Sequence, residues 1–141
     1  MKNRFVDDGK HLLDYAGEVL VVCPRCSGQA TVFRVGKLLA GRFSCLNCGA
    51  TIEKSQGMFR VEGAKDPYFG FPLYLQVRCS SGTVWAYNWA HWTDLRAYVS
   101  ADLRTQSVVR NNTYMNRLPR WVKAAKNRKR VLVALDRMAK R

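Results

Sequence analysis

Apolar residues along this chain fall into short runs and alternations up to about residue 90, and into wider, helical spacings beyond it. Glu18 to Val22 is an apolar run of strand length. Ala30-Thr31-Val32-Phe33-Arg34-Val35 alternates and is rich in β-formers, and Arg42-Phe43-Ser44 and Thr51-Ile52-Glu53-Lys54 read as further short strands. Gly36 to Gly41 can turn the chain between them. Gly57 to Lys65 reads as a connection, with Phe59 and Val61 in a short strand. Asp66-Pro67-Tyr68-Phe69-Gly70-Phe71-Pro72 holds two prolines and a glycine in an aromatic run, which predicts a rigid, irregular entry rather than a helix. Leu73 to Cys79 and Thr83 to Trp89 then predict a hairpin turning at Ser80-Ser81-Gly82. On its return strand Trp85, Tyr87 and Trp89 share one face, because side chains alternate with period two. A two-stranded hairpin must bury a face to be stable, so this one reads as the core side; a platform for stacked nucleobases is the alternative.

Thr93 is placed to cap a helix running to about Gln106, with Asp94 at the positive end of its dipole and Leu95, Tyr98, Val99 and Leu103 as its apolar stripe. Ser107 to Asn116 is polar and reads as a loop. Leu118-Pro119 opens a second helix with Trp121, Val122 and Ala125 on its apolar side. Asn127 either caps a third helix, carrying Val131, Leu132, Leu135, Met138 and Ala139 inward, or marks a kink in one continuous helix. The predicted fold class is α+β in three parts. Residues 1–17 are weakly structured, 18–56 form a small β ribbon, and 57–141 form a hairpin packed on two or three basic C-terminal helices.

Cysteine spacing gives the first part its chemistry. Cys23-Pro24-Arg25-Cys26 and Cys45-Leu46-Asn47-Cys48 are separated by eighteen residues. Two residues between cysteines let both sulfurs of one tight turn face the same ion, and a second such turn completes a tetrahedron suited to Zn²⁺. Gly28 and Gly49 stand where such turns need positive φ. Thiolate fills all four positions, so the metal is expected to be structural rather than catalytic, and a lobe of about 40 residues needs it to fold. Iron in a rubredoxin-like site has the same ligands and stays open. Disulfides and a redox Cys-x-x-Cys are disfavoured. The first residues, Met1 to Asp14, show no apolar run resembling a secretory leader, and no βαβ pattern surrounds the pairs. A reduced, cytoplasmic setting follows as the expectation. Cys79, the fifth cysteine, reads as a small buried hydrophobe.

Charge shapes the expected partner. The chain has 141 residues and a net charge of +14. From Arg96 onward thirteen Lys/Arg face two acids, whereas eleven face eight before it, so the last third carries most of the field. Such a concentration attracts polyanions, nucleic acid above all. The residues expected to contact phosphates are Arg120, Lys123, Lys126, Arg128, Lys129 and Arg130, with Arg25, Arg34, Lys37 and Arg42 presented by the ribbon. An acidic protein is the alternative partner. No apolar stretch reaches membrane-spanning length.

Cys-Pro-Arg-Cys with Cys-Leu-Asn-Cys-Gly resembles the ribbon of bacterial proteins described as TFIIB-type zinc-ribbon-containing. Asp66 to Leu73, Trp85-Ala86-Tyr87-Asn88, Leu118-Pro119-Arg120-Trp121 and Ala125-Lys126-Asn127-Arg128 extend the resemblance over roughly residues 20–138. It implies a bacterial cytosolic protein with one structural zinc and a small α+β module. Cys79-Ser80-Ser81-Gly82 departs from relatives, which carry a doubled cysteine there.

Catalysis needs a base, a nucleophile or an open metal in a pocket. His11 reads as solvent-facing, and His91, beside Trp92, as structural. The acids show no paired arrangement of a nuclease, although Asp94, Asp102 and Asp136 could meet in the fold. No phosphate-cradling Gly-x-x-x-x-Gly-Lys-Ser/Thr occurs. The chain is therefore expected not to be an enzyme. The two functions weighed are nucleic-acid binding and docking onto an acidic protein, as an antitoxin, an immunity protein or a polymerase- or helicase-associated module.

Overall fold

The computed structural model describes residues 4–7, 9–36, 40–53, 59–101, 103–106, 114–115 and 118–140. The chain is α+β. Strands β2 (Glu18–Val22), β3 (Gln29–Val35), β4 (Ala40–Ser44) and β5 (Thr51–Ile52) form an antiparallel sheet in sequence order. Val19, Val21, Ala30, Val32 and Phe43 are buried, while Phe33 and Arg42 are exposed and face one another across the β3–β4 pair. β3 shows the period-two alternation of a strand with one wet face, whereas Leu20 is buried along with Val19 and Val21, so β2 is covered on both faces.

The ribbon sheet does not end at β2. Val22 N donates to Pro72 O (2.9 Å), Tyr74 N to Leu20 O (3.0 Å) and Leu20 N to Tyr87 O (2.8 Å), so the entry to the second half pairs with β2's free edge. An edge strand left bare is an aggregation hazard, and here the downstream chain covers it. The aromatic entry is as rigid as its prolines suggest, and Asp66 makes it so. Its carboxylate accepts from Tyr68 N (2.8 Å), Phe69 N (2.7 Å) and Phe71 N (2.6 Å). Asp66 is almost fully buried, and desolvation raises its pKa above the ordinary carboxylate value despite those donors.

The hairpin consists of β6 (Leu75–Cys79) and β7 (Gly82–Ala86), and it packs on α1 (Trp89–Ser100) and α3 (Arg128–Ala139). Between those helices lie the single turn α2 (Arg120–Lys123) and a 3-10 turn, Ala125–Asn127. One apolar cluster runs from Val19, Val21 and Phe43 of the ribbon through Leu73 and Leu75 to Leu95, Leu135 and Met138 of the helices.

Several expected boundaries move. The cap of α1 is Asn88, not Thr93. Asn88 is extended and its Oδ1 accepts from His91 N (2.9 Å), whereas Thr93 sits inside the helix with Oγ1 bonded to Trp89 O (2.8 Å). The helix thus begins one turn early and takes Trp89 out of the strand. Trp89 is 42% exposed, while Tyr87 is fully buried and Trp85 half-buried, so the core reading holds for Tyr87 and Trp85 only. Residues Leu103–Gln106 are not helical; they form β8, parallel to β1 (Arg4–Asp7). The amino-terminal segment is correspondingly structured: after β1, a 3-10 turn at Leu12–Tyr15 buries Tyr15, and Ala16 follows it into the core. Phe59 and Val61 are not in a strand. Asn127 precedes α3 without capping it, because its amide donates instead to Trp121 O (2.9 Å). Most of the expected polar loop, with Asn111 and Asn112, and both Lys37 and Asp102 lie outside the described residues.

Candidate metal centre and basic cleft

β2 delivers Cys23 to the first knuckle, and β4 delivers Cys45 to the second. Each knuckle is closed the same way. Ser27 N donates to Cys23 O (2.9 Å) and Cys23 N to Gly28 O (2.8 Å); Gly49 N donates to Cys45 O and Cys45 N to Ala50 O, both 2.9 Å. The positive-φ position of the second knuckle is Gly49 (79°), as expected. In the first it is Ser27 (61°), not Gly28. Gly28 is closely approached instead: a Cβ there would meet Asn47 Nδ2, the end of an exposed side chain, at 2.9 Å and Cys26 Sγ at 3.3 Å.

The four sulfurs of Cys23, Cys26, Cys45 and Cys48 all lie within 4.8 Å of one another, and this cluster could hold one metal ion. Cys23–Cys48 and Cys26–Cys45 are separated by 3.7 and 3.6 Å. A regular tetrahedron with Zn–S of about 2.3 Å has S···S edges of about 3.8 Å, so the donor set fits such an ion, whereas a disulfide needs about 2.05 Å. Amides already point at the sulfurs: Arg25 N to Cys23 (3.4 Å), Gly28 N to Cys26 (3.4 Å) and Asn47 Nδ2 to Cys26 (3.3 Å). The Asn47 amide and the Gly28 N–H lower the Cys26 thiol to about 6. At Cys48 the Ala50 N–H favours the thiolate, but loss of solvent and the neighbouring sulfurs push it up to about 11. Four adjacent thiols cannot all ionise beside one another without a cation, and a bound cation reverses that repulsion.

The cationic residues separate into groups. Arg120, Lys126 and Arg130 open onto one cleft with Ser81, Trp121 and Asn127. Lys129 is exposed on α3, while Lys123 and Arg128 are half-buried. Of the ribbon cations, Arg25 is exposed. Arg34 is engaged internally instead: Nε donates to Tyr68 Oη (3.1 Å) and Nη2 to Leu13 O (2.7 Å). Arg42 bonds Glu53 O (3.1 Å) and pairs with its carboxylate (3.7 Å). Among the described residues no carboxylate lies within ion-pair distance of Arg120, Lys126, Lys129 or Arg130; Asp136, the acid of α3, pairs with Arg96 (2.9 Å). Ser80 and Ser81 have no place in a charge count, and only the hairpin's approach to α2 and α3 brings them to Arg130; Trp121 stands beside Arg120 in α2 itself.

His91 is fully buried, stacked on Tyr15 and edge-on to Tyr87 and Tyr114. Its Nδ1 accepts from Tyr87 N (2.9 Å), while Nε2 has no partner among the described residues. Burial lowers its pKa to about 3, so it stays neutral. Asp94 accepts from Tyr15 Oη (2.7 Å) and Lys10 Nζ (3.3 Å). Among the described residues no helix is long and apolar enough to cross a membrane. No family model, curated protein or solved structure matches the chain.

Proposed function

We propose that this chain is a zinc-ribbon nucleic-acid-binding accessory protein, with one structural Zn²⁺ on Cys23, Cys26, Cys45 and Cys48 and phosphates contacted by its basic C-terminal helices. The observation that carries this reading is that Arg120, Lys126, Lys129 and Arg130 stand together with no carboxylate within ion-pair distance among the described residues. Neutralising phosphates releases condensed counterions, which favours binding, whereas leaving like charges crowded on a folded surface opposes folding. Zinc suits the site because its four-sulfur preference is tetrahedral, and a closed set leaves no position for water. The ion's role in this reading is to hold the two knuckles together. α2 is a single turn and the buried face of α3 is committed to the core, so contacts run mainly to the backbone with weak base preference.

The test is salt-graded binding of single- and double-stranded nucleic acid by anisotropy, with elemental analysis of the same preparation. The expected result is stoichiometric zinc and an affinity that falls by orders of magnitude between about 50 and 200 mM salt if some 6–10 phosphates are engaged. A flat salt response, or retention of an acidic protein with no affinity for nucleic acid, replaces this reading with the protein-docking one.

A further inference from the structure

The strongest unassigned feature is the cleft between the hairpin turn and the two basic helices. Its volume, about 740 Å³, lies within the range of small-ligand sites. Its walls are tied in place from three sides. Gly82, at φ +153°, lies so close to the Trp121 indole that a Cβ would meet its ring at 2.8 Å. The Asn127 amide fastens the end of α2 to the start of α3 through Trp121 O (2.9 Å). Arg130 Nη1 reaches across to Ser80 Oγ (2.9 Å) and Ser81 Oγ (3.5 Å). Those hydroxyls aim the guanidinium without neutralising it. Arg120 and Lys126 bring two further positive charges to the same opening, and the positive end of the α3 dipole adds to them.

A single tetrahedral anion satisfies three convergent cations better than scattered counterions do. The half-buried indole beside it supplies an apolar π-face. Phosphate next to a flat ring is the repeating chemistry of a nucleotide, and the ring is free to meet an indole only where bases are unstacked. We propose that this cleft seats one phosphate of a single-stranded nucleic acid between Arg120, Lys126 and Arg130, with the adjoining base against Trp121. This deepens the nucleic-acid reading and rests on it.

The test uses a fluorescein-labelled oligothymidylate and a duplex of equal length, with the zinc-loaded full chain. Lys126→Glu and Ser81→Asp alter the cleft at exposed positions, Trp121→Phe removes the indole, and Arg137→Glu and Lys140→Glu reverse charges elsewhere on α3. Circular dichroism confirms the fold of each. The expected result is at least tenfold weaker single-strand binding for Lys126→Glu and Ser81→Asp, with the slope of log affinity against log salt reduced by about one. Trp121→Phe weakens single-strand binding about fivefold and removes the tryptophan quenching that the oligonucleotide causes. Equal losses for Lys126→Glu and Arg137→Glu overturn the cleft while leaving nucleic-acid binding in place. A preference for the duplex, unaffected by Trp121→Phe, also overturns it. No binding of either probe at low salt overturns the cleft and the parent reading together.

Discussion

The ribbon and the hairpin–helix half solve opposite electrostatic problems. In the ribbon, four acidic groups converge on one point, and amides face them, Arg25 N and Gly28 N from the first turn and Asn47 Nδ2 reaching across from the second to Cys26. In the helical half, Arg120, Lys126 and Arg130 line one cleft that a hairpin turn some 40 residues upstream completes through Ser81, and among the described residues no carboxylate lies within ion-pair distance of them. The first arrangement asks for a small cation and the second for a large anion. Local spacing lays out each cysteine knuckle, whereas the proposed anion cleft forms only where the hairpin turn meets residues 120–130.

The largest effect that could break the comparison is loss of the ion. Replacing Cys45→Ser is expected to release the metal and remove about 10 kcal/mol or more of metal-coupled folding energy. Because β2 is hydrogen-bonded to residues 72–74 and to Tyr87, amides of α1 and α3 should lose protection along with the ribbon. Hydrogen exchange with and without chelator measures this; helices that keep full protection would show that the two halves fold independently.

The seam between the halves is the next target. Asp66→Ala leaves the buried Tyr68 N–H and the part-buried Phe69 and Phe71 N–H groups unanswered and is expected to destabilise the protein by about 3 kcal/mol, read by urea unfolding. Asp66→Asn keeps an acceptor oxygen and should lose less.

A smaller, pH-dependent effect belongs to the second half alone. His91 titrates near 3 in the folded protein, against about 6.5 unfolded, so below about pH 6.5 the unfolded chain takes up the proton first. Stability is complete above that value and should fall as pH drops, with a slope approaching about 1.4 kcal/mol per unit. Urea unfolding from pH 7 to 4.5 tests it, and a His91→Asn variant should lack that component of the slope.

The smallest effect compares the two knuckles. Ser27→Gly relieves a left-handed serine and should change stability by no more than about 1 kcal/mol, while Gly49→Ser introduces the same strain and should destabilise by about that amount. Thermal melts of the zinc-loaded variants distinguish the two signs.

Much of the ribbon could be read from residue order. Cys-x-x-Cys spacing is a property of one turn, and β3, which follows the first knuckle, alternates with period two. The swap of Ser27 for Gly28 at the positive-φ position could not be read, because Gly28 packs against Asn47 of the other knuckle, a contact that the turn's own residues do not contain. The start of α1 was misread because both Asn88 and Thr93 are good caps, and the choice fell to Asn88, whose amide also reaches Tyr15 O (2.8 Å) and Glu18 O (2.6 Å). Leu103 to Gln106 fits a helical stripe, but β1 offers it a partner from the far end of the chain. Arg34 looks like a surface cation by composition and is held by Tyr68 and Leu13 in fact.

Residue order alone settled the four cysteines that could hold a metal ion, much of the strand pattern around them and the concentration of positive charge in the last third. Those depend on neighbours in the chain and on counting. Folding in three dimensions settled which of the described cations lie beyond ion-pair distance of a described carboxylate, which of them share a cleft, and that the ribbon's open edge is covered by the entry to the second half. These depend on contacts between residues far apart in sequence, whose free energy no short window of residues contains.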